Sequence, residues 1–187
     1  ISEFEKIGAN TVNIYYKGTD ITRNEWLTLE DIDLLTENIP EIKNITTIGQ
    51  WYGQFRIGNK TRDALIYAVT AQYKNFSVID MVEGRFINSF DDTARALVVV
   101  VDEAFAKRYF NKTDIIGEEL NLNLNRYNLK VKVIGVIKTG DDLFSGLMDN
   151  ELAPTMIYMP VRTVQSITNY KRLDTILFSV NKDADVH

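Results

Sequence analysis

Cysteine is absent from the 187 residues, and histidine occurs once, as His187. The first absence excludes disulfides, thiolate nucleophiles and cysteine-held zinc, while leaving the compartment open. The second all but removes a Ser–His–Asp triad or a histidine metal site, because the one imidazole stands at the end of the sequence. Long apolar runs are missing too. The longest, Ala96–Val101, is strand-sized, against the ~20 residues that a membrane-crossing helix needs. No leader-peptide pattern stands at the start. The densest basic cluster is only Lys171-Arg172, and a net charge of −5 argues against a surface that tracks nucleic-acid phosphates. No G-x-x-x-x-G-K-[ST] occurs, and Gly140–Gly146 lacks the lysine of a phosphate cradle, so any ATP is hydrolysed elsewhere.

What is present is an ordinary globular composition, 45% hydrophobic and 25% charged. The chain is long enough to bury roughly 70% of its unfolded surface. It begins at Ile1 without a methionine and stops in mid-pattern at His187, and is therefore expected to be an excerpt of a longer protein. Residues 1–7 read as the tail of a helix released at Gly8, and Val12, Ile14 and Tyr16 as one face of a strand. Thr28 followed by Asp31 is a capping-box start for a helix through Ile32, Leu35 and Ile39 that Pro40 stops. A strand from Ile42 to Ile48 and a separate one from Trp51 to Ile57 follow. Gly58-Asn59-Lys60 turns the second of these into Ala64–Val69. Gln72–Phe76 reads as a helical turn and Glu83–Phe86 as a tight bend. Leu97–Val101, apolar on both faces, reads as a buried strand with Asp102 capping a short helix. Leu120, Leu122 and Leu124 alternate with Asn121, Asn123 and Asn125, and Arg126–Asn128 turns this strand into Leu129–Ile137. Thr139–Asn150 reads as a loop, Thr155–Met159 as a strand, Pro160 as the opening of a helix, Asp174–Val180 as a last strand, and Asp183 as the start of a further helix.

Candidate chemistry is sparse. The carboxylate pairs Asp91-Asp92 and Asp141-Asp142 sit among loop formers and are expected to be solvated turn residues. Calcium at Asp141, Asp142 and Asp149 lacks the D-x-[DN]-x-[DN]-G spacing. Met148, Met156 and Met159 are expected to fill the core rather than to ligate a soft metal. Sequons at Asn44, Asn59, Asn75 and Asn111 are expected by chance in so asparagine-rich a chain. Trp51, Tyr52 and Phe55 form the one conspicuous aromatic group, with Trp51 and Phe55 on one strand face and Tyr52 on the other. Core packing is expected for the first two. A partner-facing patch built on Trp51, Tyr52 and Phe55, joined by Asp141, Asp142 and Phe144 of the loop, is the alternative. The residues alone thus lead to an α+β domain that binds or transmits force.

The order of motifs resembles the extracytoplasmic core domain of MacB-type ABC transporter permeases, a branch of the family that includes FtsX and the lipoprotein-releasing permeases. Ile7–Val12 is similar to the family's LGxNT segment after its first transmembrane helix, and Leu27–Asp31 to its LTxED helix start. Glu41–Ile45 stands where members have a GVxxV strand. Glu83–Phe86 with Asp91-Asp92 resembles the xGRxF…(E/D)D element. Val98–Phe110 resembles the VVVLGxxxAxxLF unit, departing at Asp102-Glu103 where a glycine often follows the strand, and Ile116-Gly117-Glu118 the xxGxxI that comes next. Val133–Ile137 is similar to VIGVL, and Ile157–Pro160 to (V/I)Y(V/I)P.

This resemblance implies a two-lobed α+β fold. Residues 1–7 would end a stem helix after a transmembrane segment. An α/β lobe would form from residues 8–47 and 168–187, its C-terminal part incomplete, and a β-rich lobe from 48–167 would be inserted into it. It further implies a non-catalytic domain with no cofactor of its own, on the extracytoplasmic side of a bacterial cell membrane. The partners would be an ABC ATPase subunit that uses ATP in the cytoplasm, a second permease copy, and an adaptor of the membrane-fusion type. Anchoring segments would lie outside this sequence. The alternative class is a sensor or solute-binding domain of a membrane receptor, which requires a formed pocket of roughly 300–1,000 Å³.

Overall fold

The computed structural model describes residues 2–6, 10–16, 26–138 and 155–181. Its backbone runs as strands β1 (Ser2–Lys6) and β2 (Thr11–Tyr16), helix α1 (Leu29–Asn38), strands β3 (Ile42–Ile57), β4 (Lys60–Val69) and β5 (Met81–Gly84), and helix α2 (Ser89–Thr93). There follow β6 (Val98–Asp102), α3 (Glu103–Phe110), β7 (Glu119–Leu124), β8 (Tyr127–Ile137), β9 (Thr155–Pro160), α4 (Val161–Thr168) and β10 (Thr175–Val180). A 3₁₀ turn covers Ala71–Asn75.

Six of these strands pair in a closed ring. β3 pairs with β4, β4 in parallel with β9, β9 with β6, β6 in parallel with β8, β8 with β7, and β7 back onto β3 at Gly53–Arg56. Alternation then sends one residue in two to the inside. Phe55, Ala64, Ile66, Ala68, Val99, Val101, Leu120, Leu122, Leu124, Val131, Val133, Ile157 and Met159 are all 0–1% exposed. The leucine–asparagine alternation of β7 is thus an inside–outside pattern. Helix α3 closes the end of the barrel near Phe55, whose ring meets Phe105 and Tyr109 edge-on at 5.1 and 5.2 Å. Helix α4 covers the other end, with Val161 and Val164 buried in the same core.

Of the remaining strands, β5 pairs with β8 and the other three extend from β3 as an open sheet in the order β1-β2-β10-β3. α1 packs on it through Ile32, with Leu29 and Leu35 partly buried. β3 belongs to both assemblies: its residues 42–47 pair with β10, and 48–57 with β4. The two strands expected at Ile42–Ile48 and Trp51–Ile57 are therefore one strand of 16 residues. Gly49, between the two expected strands, pairs with Ala68. The expected helix end over residues 1–7 is also corrected. Ser2–Lys6 runs as a strand antiparallel to β2, its backbone in register from Ser2 opposite Tyr16 to Lys6 opposite Val12. The loop 139–150 and the helix start at Asp183 lie outside the described residues.

Two turns show why these hairpins form. Gly58 takes φ +57° in the two-residue turn between Ile57 and Lys60, and Asn125 and Arg126, at φ +49° and +75°, make the corresponding turn between Leu124 and Tyr127. At the crossing of β5 and β8, Gly84 lies opposite Gly135, where a Cβ on Gly135 would stand 2.1 Å from the Arg85 carbonyl oxygen. Only hydrogen fits there. The Gly84-Arg85-Phe86 and Val133-Ile134-Gly135-Val136 segments of the sequence thus meet at a single close backbone approach.

Candidate partner surface

The three aromatic residues of β3 divide by depth. Phe55 is 1% exposed inside the barrel, so it is withdrawn from the partner-facing set. Its position, two residues from Gly53 on the inward face and beneath α3, leaves no side-chain atom for a partner to touch. Tyr52, on the opposite face, is 80% exposed. Trp51 lies between these extremes. It is half-buried at the barrel end that α4 covers, its ring edge-on to Tyr170 at 5.5 Å, with Trp26 a further 6.2 Å from Tyr170. The other three residues of the expected patch, Asp141, Asp142 and Phe144, lie outside the described residues.

Trp51 and Tyr170 wall a groove of about 320 Å³. Gly49, Ala68, Val161, Val164 and Leu173 supply an apolar floor, while Gln50, Gln165, Arg172 and Asp174 bring polar groups to its border. A Cβ on Gly49 would meet only ordinary contacts at 3.5–3.6 Å, so the missing side chain there widens the groove rather than relieving a clash. The Nε–H of Arg172 is buried without an acceptor, and the Asp174 carboxylate stands 4.0 Å away. Sequence reading missed Trp26, Tyr170 and Arg172 as companions of Trp51. No local pattern links positions so far apart; the pairing of Leu27 with Leu173 brings them together.

Asp91, Asp92 and Asp102 are structural rather than convergent. Asp91, expected to be a solvated turn residue, is 3% exposed and receives both Arg85 guanidinium nitrogens, at 2.5 and 3.0 Å. This doubled, charge-assisted bond holds its carboxyl below the usual carboxylate range. Asp91 also closes a capping box with Asn88, at 2.9 Å in each direction, which is why residues 89–93 are helical and not a loop. Asp92 accepts the Arg162 backbone N–H at 2.9 Å and so caps α4, whose own N-cap is Pro160, without a side-chain acceptor. Burial pushes the Asp92 carboxyl up. Burial likewise raises Asp102, which accepts the Phe105 N–H at 2.7 Å and caps α3 as expected. Met156 is half-buried and Met159 fully buried on β9, and Met148 lies outside the described residues.

Outside the barrel, Tyr67, Tyr73, Phe86 and Tyr158 form a second aromatic cluster between β4, β9 and the segment 71–88, with centroids 5.5–6.2 Å apart. Burial raises the Tyr158 hydroxyl far above the ordinary tyrosine range. Among the described residues no group of three or more His, Asp or Glu side chains is placed to hold a metal ion, and no helix is long and apolar enough to cross a membrane.

A closed barrel that shares one strand with an open sheet defines a β-rich α+β domain. The chain belongs to the family of MacB-like periplasmic core domains, whose family model matches residues 1–187. It is an extracytoplasmic domain of a MacB-like ABC transporter permease. It is 26% identical over 166 residues to the macrolide export ATP-binding/permease protein MacB of Haemophilus ducreyi, a match covering 88% of this chain and 22% of that protein. It is also 26% identical over 186 residues to the uncharacterized ABC transporter permease YknZ of Bacillus subtilis, covering 95% and 44% respectively. The chain therefore spans less than half of either relative. The crystal structure of the periplasmic region of MacB from Actinobacillus actinomycetemcomitans shares the fold, with a TM-score of 0.73 at 24% identity over 96% of this chain and 78% of that one.

Proposed function

We propose that this domain is a non-catalytic transmitter. In the intact permease it carries ATP-driven motion outward from the membrane to exported substrate or to a partner protein, in the manner of a mechanotransmission or efflux component. The observation that supports this reading is the continuity of β3, which runs 16 residues from the open sheet into the barrel wall. At about 3.3 Å per residue such a strand spans about 50 Å, and backbone hydrogen bonds hold it along its length. A displacement applied to one assembly then moves the other. The exchange of partners between Thr47 and Ile48 coincides with the junction of the two lobes that the sequence resemblance implies, and the lobes are proposed to be these two assemblies. The ATPase subunit, a second permease copy and a membrane-fusion-type adaptor belong to the same proposal. The family placement favours it over a sensor domain.

This domain brings no cysteine of its own to a labelling experiment. Paired spin labels on cysteines introduced at Glu37 of α1 and Asn128 of β8, both exposed, report distances in the full-length permease with its ATPase. ATP is expected to change the Asn128–Asn128 distance between two copies and to leave the Glu37–Asn128 distance within one copy unchanged. Distances that ignore ATP throughout, or that change only within one copy, would sink the reading.

A further inference from the structure

The outer faces of the two barrel hairpins, β3–β4 and β7–β8, join into one polar surface. Phe55 points into the barrel, so Gln54 and Arg56 point out, and the strand registers set them in two rows across four strands. One row runs Asp63, Gln54, Asn123, Asn128, from β4 through β3 and β7 to β8. The next runs Thr61, Arg56, Asn121, Lys130 over the same strands. Seven of these eight residues are exposed, Asn123 is half-buried, and none is apolar. Six of them line a cleft of about 650 Å³. At about 4.8 Å between strands each row is about 14 Å long.

Charge is segregated toward this surface. Trp51–Asp63 and Glu119–Lys132 together hold six Lys and Arg side chains against only two carboxylates, Asp63 and Glu119, in a chain of net charge −5. Helix α1 on the open sheet has the opposite balance, with Glu30, Asp31, Asp33 and Glu37 and no base. Among the described residues neither Arg56 nor Lys130 is paired with a carboxylate. The Arg56 Nε–H donates to the Gly58 carbonyl at 3.1 Å, which orients the guanidinium and leaves its two terminal nitrogens to an incoming anion. The amides are held as well. Gln54 donates to Asp63 and Asn123 to Asn128, each at 3.0 Å, and every one of these amides keeps a further donor or acceptor unused.

We propose that this surface binds a carboxylated polysaccharide. The chemistry of the two rows selects that class. Arg56 and Lys130 call for negative charge, and the primary amides of Gln54, Asn121, Asn123 and Asn128 offer donors and acceptors together, as the dense hydroxyls of a sugar chain require. Tyr52, the next outward residue of β3 and 80% exposed, adds one flat ring for the C–H face of a sugar. A protein partner would need an apolar anchor to bury, and the rows hold none. Single-stranded nucleic acid would need several rings in succession for its bases, and the rows hold none of these either. The inference does not depend on the transport reading, since it rests on register, charge and hydrogen bonding alone.

Titration of this chain with oligogalacturonate, followed by NMR at backbone and side-chain amides, tests it. A neutral maltooligosaccharide, polyglutamate and a single-stranded DNA of matched length are the controls. The expected result is saturating shifts at Gln54, Arg56, Asn121, Asn123 and Lys130, with each control bound at least about tenfold more weakly. The double variant Arg56→Gln/Lys130→Gln is expected to weaken oligogalacturonate about tenfold through its charge-assisted bonds, and Asn121→Ala about threefold through one neutral bond. Asn121→Ala should leave polyglutamate binding unchanged, which separates recognition of a sugar from attraction to charge. All three side chains are exposed, so melting temperatures should stay at the wild-type value. Absence of saturating shifts with oligogalacturonate overturns the proposal, as does undiminished binding to the folded double variant. Equal or tighter binding of polyglutamate or DNA overturns it too, because the surface would then be a general attractor of anions.

Discussion

The barrel and the open sheet solve the same problem in different ways. The barrel closes on itself and drives its inward side chains to 0–1% exposure, whereas in the open sheet, with α1 on one face, Ile176 of the central strand β10 reaches that depth while Val12, Ile14 and Ile45 stay at 5–7%. Closure removes edges; a sheet covered by one short helix keeps them. The same residue types should therefore matter more in the ring than in the sheet, and that difference can be put to trial.

The largest effect is expected from Phe55→Ala, which empties a position filled by three interlocked rings. Denaturant melts should show a loss of about 3–5 kcal/mol, with Ile14→Ala in the open sheet near the lower end of the ~2–5 kcal/mol range for such truncations. Equal losses would erase the distinction between the two assemblies. Next comes Asp91→Asn, expected to cost about 2 kcal/mol through the doubled bond to Arg85. Its pH signature sharpens the comparison. The Asp91 carboxyl is depressed in the folded chain, so its contribution is complete above the unfolded value of about 3.9 and is lost as pH falls through the folded value. Asp92 and Asp102 are raised by burial, so the folded chain binds their protons first and stability increases as pH falls toward about 4. A stability profile measured between pH 3 and 7 should therefore rise on mild acidification and drop below about pH 4, and Asp91→Asn should flatten only the drop.

A smaller loss, about 1–2 kcal/mol, is expected for Trp51→Ala, a half-buried ring with one edge-on aromatic neighbour. The smallest is Tyr52→Ser, within about 0.5 kcal/mol, because four-fifths of that residue already faces water. Thermal melts of the three β3 variants should rank Phe55, Trp51, Tyr52. Any other order would mean that depth in the barrel wall does not govern the strand.

That ranking was half visible in the sequence. Alternation put Trp51 and Phe55 on one face and Tyr52 on the other, and depth followed only once α3 and α4 were seen to close opposite ends. Local signals were legible throughout. The Thr28–Asp31 box, the Asp102 cap, the turn at Gly58 and the leucine–asparagine strand each act over fewer than about ten residues, where propensity and pattern decide. What escaped were long-range pairings. Nothing near Gly53 announces Leu124, and nothing near Asp92 announces the Arg162 N–H that it accepts. The strand Ser2–Lys6 escaped for a related reason, its partner being the edge of a sheet and not its own neighbours.

The borrowed cap on α4 bears on the order of folding. Eight residues opened by a proline are too few to nucleate a helix by themselves. The acceptor that satisfies its first turn is Asp92, seventy positions earlier, and the Thr163 hydroxyl leans on the Ala96 carbonyl beside it. Helix α4 is thus expected to be conditional structure, forming once the strap from Arg85 to Ala96 has docked, so that the barrel end beside Trp51 is sealed late.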